Sequence, residues 1–157
     1  MLSHIDKDGN AKMVDVSKKK DSDRIAIASG FIEMTKETIQ LVETKNLKKG
    51  DVLTVAKIAG IQASKNTSSL IPLCHNINLN KIDIKFKVDL KEKKIYCKST
   101  VNSMGKTGVE MEALTAVSIA LLTIYDMCKS SDKNMLISNI KLIEKRGGKS
   151  GLWASKN

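Results

Sequence analysis

Two acid–lysine groups bracket one apolar stretch of this chain. At its start, Gly105-Lys106-Thr107-Gly108 leads into Glu110, Met111 and Glu112, and at its end stand Asp126 and Lys129. Lys106 lies between two glycines just before an expected helix start, where free N–H groups and the helix dipole favour anions. A plain turn with an exposed lysine fits those residues equally well. Acids in a first helical turn are favoured by the same dipole, so Glu110 and Glu112 have a purely structural explanation. They stand two residues apart, about 200° around a helix, and cannot form one paired-carboxylate site. Asp126 and Lys129 are three apart and share a face. They are either an ordinary surface ion pair or, because an acid is a poor structural choice at the negative end of a helix, a pair kept for proton transfer. From Glu112 to Asp126 is about 21 Å along a straight helix at 1.5 Å per residue. If both ends serve one small substrate, a second copy of the chain has to complete the site, and an obligate oligomer is expected.

Three other places carry reactive groups. Lys49 precedes Gly50-Asp51 at an expected helix start, where, next to Lys48, a solvated charge explains it. Leu73-Cys74-His75 follows Pro72, the only proline. With just His4 and His75 and dispersed thiols, zinc ligation is not expected, and a hydrogen-bonded structural histidine is the default. Two segments imitate phosphate loops without being them. A Walker loop needs Gly six residues before its Lys, yet Thr100 stands there for Lys106 and Ile143 for Lys149.

Among 27 basic and 17 acidic residues, giving a net charge of +10, only Arg24 and Arg146 are arginines. Lysine is a compact, hydrated point charge suited to phosphate, so a polyanionic ligand fits, with nucleotide and nucleic acid both open. At 157 residues and 41% hydrophobic content the chain fits one domain, 1–157, with a flexible arm 1–23 and a flexible Gly- and Lys-rich tail 145–157. Three cysteines without Cys-x-x-Cys spacing point to reduced thiols and a cytoplasmic protein. The first residues lack a basic start followed by an apolar run, and no window is expected to approach the roughly 20 apolar residues of a membrane span.

The elements that must position these residues follow from periodicity. Ile25, Ile27, Phe31 and Met34 predict a strand over 24–34, and Thr35 an N-cap for a short helix over 36–43. Val52, Val55, Ala56, Ala59 and Ala63 predict a helix over 51–65. Ile82, Ile84, Phe86 and Val88 alternate with charged residues, so 81–90 and 95–101 read as a half-buried hairpin. A long helix over 109–129 and a strand over 135–143 complete the order β-α-α-β-β-α-β. That is the order of an α+β ferredoxin-like sandwich with a four-stranded antiparallel sheet.

Ile58-Ala59-Gly60-Ile61-Gln62-Ala63, Leu70-Ile71-Pro72-Leu73-Cys74-His75, the run from Gly105 to Ala116 and Tyr125-Asp126-Met127-Cys128-Lys129 together resemble the cyclic pyranopterin monophosphate synthase family of molybdenum cofactor biosynthesis. The resemblance covers roughly residues 4–151; Asn76 stands where the family commonly has proline. It implies a lyase that converts the 3',8-cyclo-7,8-dihydro derivative of GTP to cyclic pyranopterin monophosphate and diphosphate. It assigns Asp126, Lys129 and Lys49 to catalysis, and the Leu73-Cys74-His75 and Met111-Glu112 segments, with Glu110 beside them, to substrate binding; Lys106, at its helix start, is a further candidate anion contact, and Lys149 and Arg24 are candidate triphosphate contacts. It also implies homohexamers, trimers of dimers with sites at dimer interfaces. Such chemistry calls for no redox cofactor, and Mg²⁺ on the phosphates is compatible with it. Two other classes stay open. A basic ferredoxin-like module could bind RNA, although only Phe86 and Tyr96 on the hairpin could stack bases. A catalytically inactive nucleotide-binding subunit would keep the charge without the turnover.

Overall fold

The computed structural model describes residues 4–45, 50–149 and 151–156. Strand β1 (Ser22–Glu33) is followed by three helices, α1 (Lys36–Glu43), α2 (Val52–Lys65) and the short α3 (Thr67–Leu70). The hairpin β2 (Lys81–Asp89) and β3 (Lys94–Gly105), the long helix α4 (Glu110–Cys128), β4 (Leu136–Arg146) and β5 (Trp153–Ala154) complete the chain. The sheet order is β2-β3-β1-β4-β5 with every pair antiparallel. Its first four strands give the ferredoxin-like arrangement, in which two split βαβ units interleave.

The caps follow from residue type. Thr35 accepts from the Thr38 N–H and starts α1 at the expected residue. Asp51 accepts from the Thr54 N–H at 3.1 Å and starts α2, while a bond from Lys45 keeps its carboxyl well below the usual range. Beyond α4, Asp132 is almost fully buried and accepts from the Thr35 and Asn134 N–H groups, tying that turn to the end of β1.

Four expectations are corrected. The sheet has five strands rather than four, because Trp153–Ala154 pairs with Glu144 and Lys145. β3 runs past residue 101 to Gly105, since β1 supplies partners as far as Ser22. β4 reaches Arg146 and bulges where Phe31 pairs with Ser138 and Ser29 with Lys141, with Asn139 at φ 54°. Finally, α4 is long and apolar enough to cross a membrane by length and composition, contrary to the expectation from windows. It is here the core helix, with Ala113, Ala116, Val117, Ala120, Leu121 and Ile124 wholly buried. In the stretches expected as flexible arm and tail, Ser22 and Asp23 lie in β1, Lys145 and Arg146 in β4, and the tail supplies β5.

Packing explains which strand residues face inward. In β1 it is Ala26, Ala28 and Ile32 that are fully buried under the helices, whereas Ile25, Ile27 and Phe31 lie half-buried on the other face. Small residues let α4 approach, and Gly60 of α2 does the same. A Cβ there would stand 2.8 Å from the Ala116 carbonyl of α4 and 2.5 Å from Ile84 Cδ1 of β2. Phe86 packs against this core, while Tyr96 meets Phe31 edge-on at 5.7 Å on the opposite face.

The topology also separates the ends of α4. At one end of the sheet β1 begins, β3 ends and β4 ends, as the pairs Ser22–Gly105 and Ile25–Arg146 show. Helix α4 starts there. It finishes near the opposite end, where Glu33 pairs with Lys94 and Leu136.

Candidate active site

Three chain segments converge where β1 starts and β3 and β4 end, and each is basic. They enclose a cleft of about 940 Å³ lined by eight cationic side chains and three carboxylates. Arg24, Lys106, Glu110 and Lys149, all expected site residues, line it together. Lys145 and Arg146 from the end of β4 and Lys18, Lys19 and Lys20 from the arm line it too. These five were not singled out as site residues by sequence. The signal was present as runs of basic residues, but such runs are ordinarily solvated faces.

Arg24 is not simply an anion contact. Its Nε donates to the Gly105 carbonyl at 3.1 Å and its Nη2 to the Lys106 carbonyl at 3.3 Å. The guanidinium therefore braces the loop that carries Lys106. A Cβ on Gly148 would overlap it, and Gly147 and Gly148 have φ of 100° and 71°, a region that glycine enters without strain. Lys106 Nζ donates to the Ser17 carbonyl at 2.9 Å. Glu110 folds back over Gly108 and accepts from Lys145 at 2.9 Å, both side chains being about one-third exposed or less. It balances one of the cleft's cations.

Glu112 is different. Only 4% of it is exposed, and burial pushes its carboxyl up to about 7, its own N–H opposing and the charge of Glu110 adding. Cys74 is held above the usual thiol range by burial and then by the Glu112 charge, which places the Leu73-Cys74-His75 segment beside the first turn of α4. Leu73, Cys74 and His75 are all half-buried, and Met111 is more than one-third exposed. His75 Nε2 bonds the Val14 carbonyl at 2.7 Å. A carboxyl poised near 7 can hold or release a proton at neutral pH, which suits acid–base work on a bound ring.

At the other end of α4, Lys129 Nζ and Asp126 Oδ1 are 2.6 Å apart with both side chains more than half exposed. The bond to Asp126 raises the Lys129 ammonium above its usual range. With 14 residues of continuous helix between Glu112 and Asp126, the pair lies about 21 Å from the cleft end. The chain does not bring the two groups together. Lys49 lies outside the described residues. Among those residues no cluster of three or more His, Cys, Asp or Glu is placed to hold a metal.

The model of the MoaC family matches residues 13–148, from the arm through the Gly147-Gly148 turn. The chain belongs to that family. Cyclic pyranopterin monophosphate synthase of Thermoanaerobacter pseudethanolicus is 54% identical, over 97% of this chain and 96% of the relative. The proteins of the same name from Heliobacterium modesticaldum and Clostridium perfringens SM101 are 55% and 54% identical, each over 96% of this chain and over 94% and 95% of the relative. Among solved structures, a ferredoxin protease in complex with Arabidopsis ferredoxin is similar at a TM-score of 0.35 and 8% identity, over 67% of this chain and 10% of that one; at that level it carries no argument. As a MoaC family member, this chain has its cleft, the cationic turns and Asp126 within the matched span; Lys149 is the cleft cation just beyond it.

Proposed function

We infer that this chain is a cyclic pyranopterin monophosphate synthase, a lyase of molybdenum cofactor biosynthesis acting on the cyclic dihydro derivative of GTP. The observation that carries this is identity of about one-half, end to end, with proteins of that name. The cleft supports it. Closing a cyclic phosphate on the α-phosphorus expels diphosphate, and the charge that develops on the leaving oxygens needs preorganised cations. Lys106, Lys145 and Lys149 surround the space where such a group fits.

Breaking and remaking the ring bonds requires proton shuttling and calls for no redox cofactor, while Mg²⁺ on the phosphates is compatible with the chemistry. We assign Glu112, with the neighbouring Leu73, Cys74, His75 and Met111, to the purine-derived end of the substrate, and Arg24, Lys106, Glu110 and Lys149 to the phosphate end. Asp126, Lys129 and Lys49 are the proposed proton-transfer groups, with Asp126 and Lys129 contributed by a second subunit. The separation of the two ends of α4 supports that division, as do Ile58 and Leu122, each more than half exposed on α2 and α4. The proposed assembly is a hexamer built as a trimer of dimers, in the cytoplasm.

The experiment is diphosphate release and pterin formation from the cyclic dihydro-GTP intermediate. Turnover in the wild type, lost in correctly assembled Asp126→Asn and Lys129→Ala, is the expected result. No turnover with the intermediate still bound would mean a nucleotide-binding subunit instead.

A further inference from the structure

The arm ahead of β1 enters the cleft on a fixed path. His75 Nε2 and the Val14 carbonyl are 2.7 Å apart, and Lys106 Nζ donates to the Ser17 carbonyl at 2.9 Å. These bonds join groups 61 and 89 residues apart in sequence. A carbonyl oxygen can only accept, so Nε2 of His75 carries the proton and donates. Between the two anchors, Asp15 Oδ1 accepts from the Ser17 N–H at 2.8 Å, a turn that bends the chain. Hydrogen bonds from Ser17 hold the Asp15 carboxyl below its usual range, with the Lys106 charge adding a little.

Four residues, 18–21, then separate Ser17 from Ser22, which is fixed by pairing with Gly105. At no more than about 3.5 Å per residue, and turned back by the Lys19 N–H bond to the Val16 carbonyl, such a tether keeps this stretch close to the end of the sheet. Lys18, Lys19 and Lys20 line the cleft. They are three of its eight cations.

We propose that arm residues 14–20 form one wall of the polyphosphate site, with His75 and Lys106 as positioning residues that fasten the arm so that its three lysines face the anion. The inference rests on the synthase function for the identity of the anion, a nucleoside triphosphate derivative, but not for the geometry. His75 then acts through the arm's backbone, whatever else it touches. A polylysine run that composition alone marks as a solvated tail becomes part of the binding surface because two side chains hold it there.

The test uses the full-length protein and inorganic tripolyphosphate, followed by calorimetry at constant ionic strength. Changing Lys18, Lys19 and Lys20 to Ala together weakens binding by about 10- to 100-fold, the sum expected of three modest exposed charge contacts. Changing Lys85, Lys87 and Lys98 to Ala together, on the opposite sheet face and equal in charge, changes it by less than about 3-fold, because screening limits the reach of remote charges. His75→Ala weakens binding and speeds amide exchange at residues 14–20, and His75→Gln, whose amide can still donate to Val14, restores both. In turnover the arm variant raises KM with kcat little changed. Equal losses from the arm and the sheet-face variants would overturn the proposal, as would arm exchange indifferent to His75→Ala. Arm-dependent tripolyphosphate binding in a protein with no turnover would sink the synthase assignment and leave the arm's role standing; turnover with arm-independent binding would do the reverse.

Discussion

Helix α4 carries carboxylate chemistry at both ends, and the two ends are built differently. At the start, Glu112 is buried, its carboxyl raised to about 7, with Cys74 near enough to feel its charge and its neighbour Glu110 lining the cleft. At the finish, Asp126 and Lys129 meet at 2.6 Å in the open. The chain completes one environment by itself and leaves the other facing outward. The first end has its pKa tuned by the chain's own burial. The second is not buried by its own chain, and in the assembly proposed above that burial comes from another copy.

The comparison breaks or sharpens most sharply by complementation. Glu112→Ala and Lys129→Ala are each expected to lower turnover by about 100-fold or more, the usual size of a lost acid–base group. Mixing and reassembling the two inactive proteins restores activity toward about a quarter of wild type, the share of intact sites in randomly paired dimers with two shared sites each. Mixed oligomers that form and stay inactive would mean that each chain holds a whole site.

A smaller effect concerns stability at the buried end. A carboxyl that titrates near 4.5 when exposed is held at about 7 in the fold, so the folded state keeps its proton longer than the unfolded chain. Stability that is fully present below pH 4.5 is therefore lost as pH rises through 7, on the order of 3 kcal/mol. Glu112→Gln cannot titrate. Its melting temperature should gain on wild type between pH 5 and pH 8, and parallel curves for the two proteins would show that Glu112 is not desolvated.

The smallest effect is at the exposed end. Asp126→Asn should move the melting temperature of the protein by no more than about 2 °C, because exposed pairs contribute little to folding. A large drop would make the pair structural, contradicting the contrast between the ends.

How much of this was legible depended on how local the cause was. Thr35 and Asp51 announce their helices because a cap needs only a side-chain oxygen and an N–H three residues on. The hairpin is plain from alternation. The inward face of β1 was not: the large residues Ile25, Ile27 and Phe31 mark a strand, but burial went to Ala26 and Ala28 because α4 needs to come close. The far end of β3 and the bulge at Asn139 depend on what β1 offers across the sheet. Of the residues that line the cleft, Lys106, Glu110, Lys149 and Arg24 were singled out in the sequence, whereas Lys145, Arg146 and the arm lysines were not. Their role comes from neighbours distant in sequence.

The sequence by itself determined the order of the main elements, though not α3 or β5, the caps of α1 and α2, the excess of lysine and the spacing that keeps Glu112 and Asp126 on one rod about 21 Å apart, since helical rise is fixed by backbone geometry. Only the tertiary structure decided which charges face each other. Strand pairing brought residues 22, 105 and 146 to one end of the sheet and collected eight cations around one cleft. It also hung the arm on His75 and Lys106. Such contacts join residues far apart in the chain, and no local preference of the backbone encodes them.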